Sequence, residues 1–291
     1  MKRFTVKVPA STANMGPGFD TLGMALTMYN SFTFLPMDEG FEVSGVESQF
    51  CGKDNLVYQS FLKAYERLGK QAPGIRIEIK SDIPISRGLG SSSTCIVAGV
   101  MAALYLAEQR VDKELALSIA TEMEGHPDNV APAIFGGLQV SLLERGRVIH
   151  QEVPIASELE LAVLIPNFRL STEKSRNVLP KSVPFSDAVY NVSRVALLVN
   201  SLSTGNLEDL DVACQDALHQ MARSALIPSY DKVVDLAKQC GAKASFLSGA
   251  GPSIMFLVDG QEDFVREMNE KTDYVWSAHA LKADKIGAIL L

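Results

Sequence analysis

The sequence predicts an α+β protein of two domains, and three observations carry that prediction. The chain has 291 residues, which at roughly 100–200 residues per domain is about two domains. Its strand-like and helix-like segments mix without the regular β-α-β-α alternation of a doubly wound parallel sheet. Midway, Pro154 and a polar stretch over residues 156–160 precede a new apolar strand, so the domains are set at 1–157 and 158–291.

The elements follow in chain order. Phe4, Val6 and Val8 alternate with polar neighbours, and the strand they predict stops at Pro9. A loop of small, polar and glycine residues covers 9–20, and an apolar stretch covers 22–26. Val57, Phe61, Tyr65 and Leu68 recur at helical spacing; Asp54 or Asn55 can cap that helix and Gly69 can end it. Ile75, Ile77 and Ile79 alternate as a half-buried strand does. A glycine–serine loop then runs into an apolar segment over 95–107, which reads as a buried helix. Another helix fits 113–124, with Asp112 as its cap and Gly125 behind it. A turn-rich stretch leads through Gly136 and Gly137 to a strand near 138–143. The second half reads as strand 161–165, helices near 185–203, 207–224 and 230–239, strand 244–248, a glycine turn, strand 253–258, helix 262–271 and strand 274–281.

Composition bounds the function. With 47% hydrophobic and 21% charged residues the chain is ordinary for a globular protein, which excludes disorder, collagen, coiled coil and a disulfide miniprotein. A net charge of −7 argues against nucleic-acid or anionic-membrane partners, since both need a basic footprint. It leaves room for a small anionic ligand held by a few arginines. Cys51, Cys95, Cys214 and Cys240 stand far apart with no C-x-x-C pair, as expected of reduced thiols in a cytoplasmic protein. Lys7 and Pro9 break any signal-peptide core, and the longest apolar run is shorter than the ~20 residues of a membrane span.

The strongest chemical signal is Pro84-Ile85-Ser86-Arg87-Gly88-Leu89-Gly90-Ser91-Ser92-Ser93-Thr94. A phosphate group needs several N–H donors converging on it, and glycines let the backbone curve without Cβ clashes. A helix opening at the serines adds unpaired N–H groups and a positive dipole end. A serine hydroxyl is also a hard oxygen ligand for Mg²⁺. The competing reading is a flexible, serine-capped turn, but an apolar helix directly behind the loop favours the phosphate cradle. The Walker pattern G-x-x-x-x-G-K-S/T, the dinucleotide pattern G-x-G-x-x-G, the hydrolase pattern G-x-S-x-G and H-E-x-x-H are all missing. The four histidines are scattered, which disfavours a zinc site. Two more glycine loops flank apolar strands: Asn14-Met-Gly16-Pro-Gly18-Phe-Asp20 and Ser248-Gly249-Ala-Gly251-Pro252-Ser253.

These three loops together, in this order, resemble the three signature motifs of the GHMP kinases, the small-molecule kinases named for galactose, homoserine, mevalonate and phosphomevalonate. His126-Pro-Asp-Asn-Val-Ala-Pro132 and Ser171-Thr-Glu-Lys-Ser-Arg-Asn-Val-Leu-Pro180 are similar to the homoserine-phosphorylating branch. The resemblance implies a ribosomal protein S5 domain 2-like N-terminal domain and a ferredoxin-like C-terminal domain. It implies transfer of the ATP γ-phosphoryl group to the side-chain hydroxyl of L-homoserine, in threonine biosynthesis, by a possible homodimer. Mevalonate or diphosphocytidyl-methylerythritol as acceptor, or a non-catalytic nucleotide-binding protein on the same fold, are the alternatives. Residues 84–94 would cradle the ATP phosphates, with Asn55 near the adenine and Mg²⁺ on Ser91 and Glu124. Asn14, Asp20, Asn129, Arg176 and Arg223 would bind the substrate, the arginines at its carboxylate, and Asn129 and Asp20 would be the catalytic pair. Homoserine is a zwitterion, so an anion beside two planar bidentate cations suits it. Ser86 and Arg87 stand where many members carry small residues; Arg87 either adds a phosphate contact or points to solvent.

Overall fold

A computed structural model describes residues 3–156, 159–273 and 275–291. The expected boundary between 157 and 158 falls outside the described residues. Two sheets organise the chain.

The first sheet begins with β1 (Phe4–Ala13), β2 (Leu22–Met37) and β3 (Phe41–Ser44). Then come α1 (Leu56–Arg67), β4 (Gly74–Ser81), α2 (Ser91–Glu108), α3 (Lys113–Glu124), α4 (Val130–Phe135) and the hairpin of β5 (Leu138–Glu144) and β6 (Arg147–Val153). β1 does not stop at Pro9. It runs on to Ala13 along β2, and the register shifts between Pro9 and Ala10. A proline has no N–H for the ladder, and a bulge absorbs that gap.

α2 is apolar on nearly every side because it lies in the core, packed against α1 and α3. Its 18 residues have a mean hydropathy of 1.3, enough by length and composition to cross a membrane. Here it fills the space between the sheet and the outer helices, among Phe32, Phe34, Phe61, Ile75 and Ile77. Each such buried side chain contributes about 1.5–3 kcal/mol.

The second sheet holds β7 (Glu160–Pro166), β8 (Ala242–Leu247), β9 (Ile254–Val258) and β10 (Trp276–Leu281) in the order β10-β7-β9-β8. All its pairings are antiparallel, which is the ferredoxin-like arrangement. Between β7 and β8 lie α5 (Thr172–Asn177), α6 (Phe185–Thr204), α7 (Leu210–Ala213), α8 (Gln220–Ser224) and α9 (Tyr230–Gln239); α10 (Gln261–Lys271) joins β9 to β10. The single helix expected over 207–224 is instead the two short pieces α7 and α8. Asp216 Oδ2 accepts the backbone N–H groups of His219 and Gln220 at 2.7 Å each, so a side-chain cap starts a new helix there.

The last strand, β11 (Ile289–Leu290), pairs with β1 and returns the C-terminus to the first sheet. Met15, Leu22 and Leu89 share one buried cluster with Leu161, Phe246 and Leu281, so a common apolar layer joins the sheets. Along this seam the three glycine loops meet.

Candidate active site

The loop after β4 delivers the chain into α2 through a helix start with no side-chain cap. The N-cap is Gly90, at φ 69°. The first backbone bond runs from Thr94 N to Gly90 O at 2.9 Å, which leaves the N–H groups of Ser91, Ser92 and Ser93 outside the helical ladder. No acidic side chain sits in this first turn to quench its positive end. Gly90 must be glycine: a Cβ would lie 2.3 Å from Ser11 Oγ. At Gly88, with φ 77°, a Cβ would lie 2.2 Å from Ser248 O, so the third glycine loop is packed directly behind the second.

A cavity of about 290 Å³ opens over this turn. One end is apolar, walled by Val46, Phe50, Leu56 and Ile79. Asn55 sits there too. Its Oδ1 caps α1 by accepting from Val57 N at 3.0 Å and Tyr58 N at 3.2 Å, and its Nδ2 donates to Phe50 O at 2.8 Å. The other end carries Glu124, His126, Asn129, Arg176 and Arg223. Such a shape, apolar at one end, N–H-rich in the middle and charged at the other, suits a nucleotide whose phosphates point at a polar second substrate.

At the charged end, Arg176 forks onto Asp20, Nη2 to Oδ1 at 2.8 Å and Nη1 to Oδ2 at 3.3 Å. Asn14 Oδ1 accepts from Asp20 N at 2.9 Å and closes the first glycine loop, leaving the Asn14 amide nitrogen for the cavity. Both Asn14 and Asp20 have positive φ, which their short polar side chains tolerate. Phe19 lies between the two arginines, its ring centre 5.9 Å from the Arg176 guanidinium carbon and 5.2 Å from that of Arg223. Arg223 is 1% exposed, and burial pushes its pKa down to about 10, with Arg176 acting in the same direction. It stays charged at neutral pH.

Asn129 Oδ1 accepts from Ser11 Oγ at 3.0 Å, which turns its Nδ2 toward the cavity. His126 Nδ1 is bonded to the fully buried Asp128. Burial pulls the His126 pKa down, but the hydrogen bond and charge of Asp128 outweigh it and the net shift is upward. Burial raises the Glu124 pKa, against the nearby His126 and the Ser93 hydroxyl. Polar atoms of Asp20, His126 and Asp128 lie within 4.8 Å of one another; Asp20 is paired with Arg176, and Asp128 is bonded to His126 through Oδ1 while its buried Oδ2 has no partner among the described residues.

Glu124 Oε1 accepts from Ser93 Oγ at 3.1 Å and Ser92 Oγ at 3.3 Å, and Ser91 lines the same cavity. A carboxylate among hydroxyls is an all-oxygen donor set of the kind Mg²⁺ takes beside substrate phosphates, so these residues fit that ion. The hydroxyls bonded to Glu124 are those of Ser92 and Ser93, next to the Ser91 expected beside Glu124 at the metal.

Comparison with known proteins places this geometry. The GHMP kinases N terminal domain model matches residues 55–137, and the GHMP kinases C terminal model matches residues 197–273. A homoserine kinase from Clostridium beijerinckii is 43% identical over 99% of this chain and 98% of its own. The chain belongs to the GHMP kinase family. A homoserine kinase from Clostridium botulinum is 42% identical, covering 98% of both chains. The crystal structure of homoserine kinase from Cytophaga hutchinsonii superposes on this GHMP kinase with a TM-score of 0.89 at 29% identity, over 100% of this chain and 98% of the other. A mevalonate kinase structure shares the fold at a TM-score of 0.71 and 15% identity, over 97% and 99% of the two chains.

The GHMP kinase cavity gathers most of the residues the sequence singled out: Asn14, Asn55, Ile85, Ser86, Arg87, Gly88, Gly90, Ser91, Ser92, Ser93, Glu124, Asn129, Arg176 and Arg223. Asp20 reaches it through Arg176. Three residues of the expected phosphate loop do not line it. Pro84 lies before the turn. Leu89 is buried in the layer between the sheets, its carbonyl accepting from Ser11 N at 3.2 Å. Thr94 is fully buried, bonding Ser91 O at 2.8 Å and Asn30 Nδ2 at 2.9 Å. Arg87 is half-buried at the cavity wall, and its guanidinium is engaged by main-chain carbonyls. Its guanidinium donates to the carbonyls of Pro166 at 2.7 Å, Asn167 at 2.7 Å and Ile85 at 3.0 Å, strapping the loop to the end of β7.

The sequence reading missed Ser11, Phe19, Asn30 and His126. His126 had a signal, since it sits inside the quoted His-Pro-Asp-Asn run. Asn30 had none, because a polar residue in the middle of a strand looks solvent-facing until β4 and α2 close over it.

Proposed function

We infer that this chain transfers the γ-phosphoryl group of ATP to the side-chain hydroxyl of L-homoserine, with Mg²⁺, as a cytoplasmic enzyme of amino-acid biosynthesis. The observation that carries the reading is the Asp20–Arg176 pair beside Arg223, at the far end of the cavity from its apolar wall. An α-amino acid bears its ammonium and carboxylate on one carbon. A site for it needs an anion and cations side by side, which is how these three side chains lie.

Phosphoryl transfer asks mainly for positioning and charge neutralisation. The adenine would occupy the apolar end near Asn55. The free N–H groups of Ser91, Ser92 and Ser93, with the loop at Gly88 and Gly90, would bind the β- and γ-phosphates. Held by Glu124 and the serine hydroxyls, Mg²⁺ would supply further neutralisation of phosphate charge. Asp20 would bind the ammonium, and Arg176 and Arg223 the carboxylate. Asn129, with its amide nitrogen toward the cavity, would donate to the hydroxyl oxygen and hold it in line. An amide cannot take up the hydroxyl proton, so the proton would pass to an oxygen of the transferred phosphoryl group and no strong protein base is required.

The test is direct. With ATP, Mg²⁺ and L-homoserine, ADP release should match formation of an O-phosphorylated amino acid by phosphorus NMR. ATP binding without any phosphorylated product would remove the reading in favour of a non-catalytic nucleotide-binding protein. Sedimentation velocity at enzyme-assay concentration checks the homodimer.

A further inference from the structure

The buried His219 lies outside the cavity wall, and no role in the transfer has fallen to it. Its imidazole is 1% exposed. Nε2 lies 2.8 Å from Gly16 O, and Nδ1 lies 3.2 Å from Arg223 Nη1. A carbonyl only accepts and a guanidinium only donates, so both bonds form in one state alone: neutral, with the proton on Nε2. Burial lowers the His219 pKa and Arg223 pushes it the same way, against Asp216, so the neutral form is the one held. Asp216 is already committed to Asn191 Nδ2 and to the N–H groups of His219 and Gln220.

Arg223 is held through two of its three nitrogens. Nη1 donates to His219 Nδ1 and to Gly249 O at 3.1 Å, and Nε points to Ser175 O at 3.4 Å. Among the described residues no acceptor takes Nη2, and Arg223 lines the cavity. With Nη1 and Nε taken up in this way, Nη2 is the nitrogen left for a ligand carboxylate.

We propose that His219 is a positioning residue for substrate selection: its Nδ1 lone pair fixes the rotation of the Arg223 guanidinium, so that Nη2 meets the acceptor's carboxylate. The proposal deepens the functional reading above and rests on it. His219 also ties the first glycine loop, through Gly16, to the third, through Arg223 and Gly249, so one ring couples the two loops that border the acceptor end.

Two substitutions separate the two ring nitrogens. In His219→Asn the amide oxygen takes the place of Nδ1 and can still accept from Arg223. In His219→Gln the amide nitrogen takes the place of Nε2 and can still donate to Gly16 O, but nothing accepts from Arg223. Steady-state kinetics should show the KM for L-homoserine rising about tenfold or more in His219→Gln and staying within about threefold of wild type in His219→Asn, with the KM for ATP little changed in both. Equal effects of the two variants, a larger effect in His219→Asn, or a parallel rise in the KM for ATP would overturn the proposal. Nitrogen NMR of the wild-type imidazole does not depend on either variant folding. It should report a protonated Nε2 and a bare Nδ1 at neutral pH, and the reverse tautomer would also overturn it. If wild type does not phosphorylate L-homoserine, the functional reading falls and this one with it. If wild type does and the variants are alike, this one falls alone.

Discussion

Asp20 and Arg176 are about one-third exposed, at 34% and 38%, so solvent weakens their ion pair as a source of stability. Their value lies in presenting adjacent opposite charges to a ligand that carries the same pattern. Arg176→Ala should therefore leave folding nearly intact and raise the KM for L-homoserine about 10²-fold, with the KM for ATP little changed. Unaltered homoserine kinetics would take Arg176 out of the site. Glu124 carries the opposite balance. Its carboxyl titrates above the ordinary range because burial disfavours the charge. In the free protein the folded state holds this proton more tightly than the unfolded state does. The resulting stability is present at low pH and lost as pH rises through the raised pKa. Glu124→Gln should thus stabilise the metal-free protein at neutral pH by about 0.5–2 kcal/mol, read by urea denaturation, while lowering turnover about 10²–10³-fold. For wild type, dependence on Mg²⁺ should steepen as pH falls toward that raised value, since protonation removes the anionic oxygen.

At the scale of elements, the start of α2 decides whether ATP binds, and Asn30 holds it in place. Asn30 is 1% exposed; it donates to Thr94 Oγ1 at 2.9 Å and accepts from Ser81 Oγ at 2.9 Å and Ile83 N at 3.1 Å. One side chain on β2 thus joins the end of β4 to the first turn of α2. Asn30→Ala should cost about 2–3 kcal/mol of stability by chemical denaturation, because it strands buried partners, and should weaken ATP binding by calorimetry. A change below about 0.5 kcal/mol would mean that water replaces those bonds. Elements with strong local signals were legible in the sequence: α1 with its Asn55 cap, α3 between Asp112 and Gly125, and the buried α2. Those set by distant partners were not. β1 passes Pro9 because β2 tolerates a bulge there, the segment 207–224 breaks where Asp216 caps α8, and α4 is too short to show a period. Arg223 is named only through the family resemblance. Its burial depends on Gly249 and Ser175, which no local pattern brings near.

On the scale of the whole molecule, the site is a seam. Arg87 straps the phosphate loop to Pro166 and Asn167, Ser253 N donates to Arg87 O at 3.2 Å, and Gly249 N donates to Ala13 O at 2.9 Å. Residues from both sheets must dock before the cavity exists, which explains why its content was legible as motifs but its shape was not. A single cut between two domains also misses the return of the chain, since β11 completes the first sheet. Each of these links serves one central claim, that the charged end of the cavity accepts a zwitterionic amino acid as the phosphoryl acceptor. The decisive measurement compares kcat/KM for L-homoserine with that for its decarboxylated form, aminopropanol, and its deaminated form, hydroxybutyrate. The account predicts that each truncated alcohol loses at least about 10²-fold, because each leaves charged groups at Asp20, Arg176 or Arg223 unanswered. Phosphorylation of either one as efficiently as L-homoserine would contradict it.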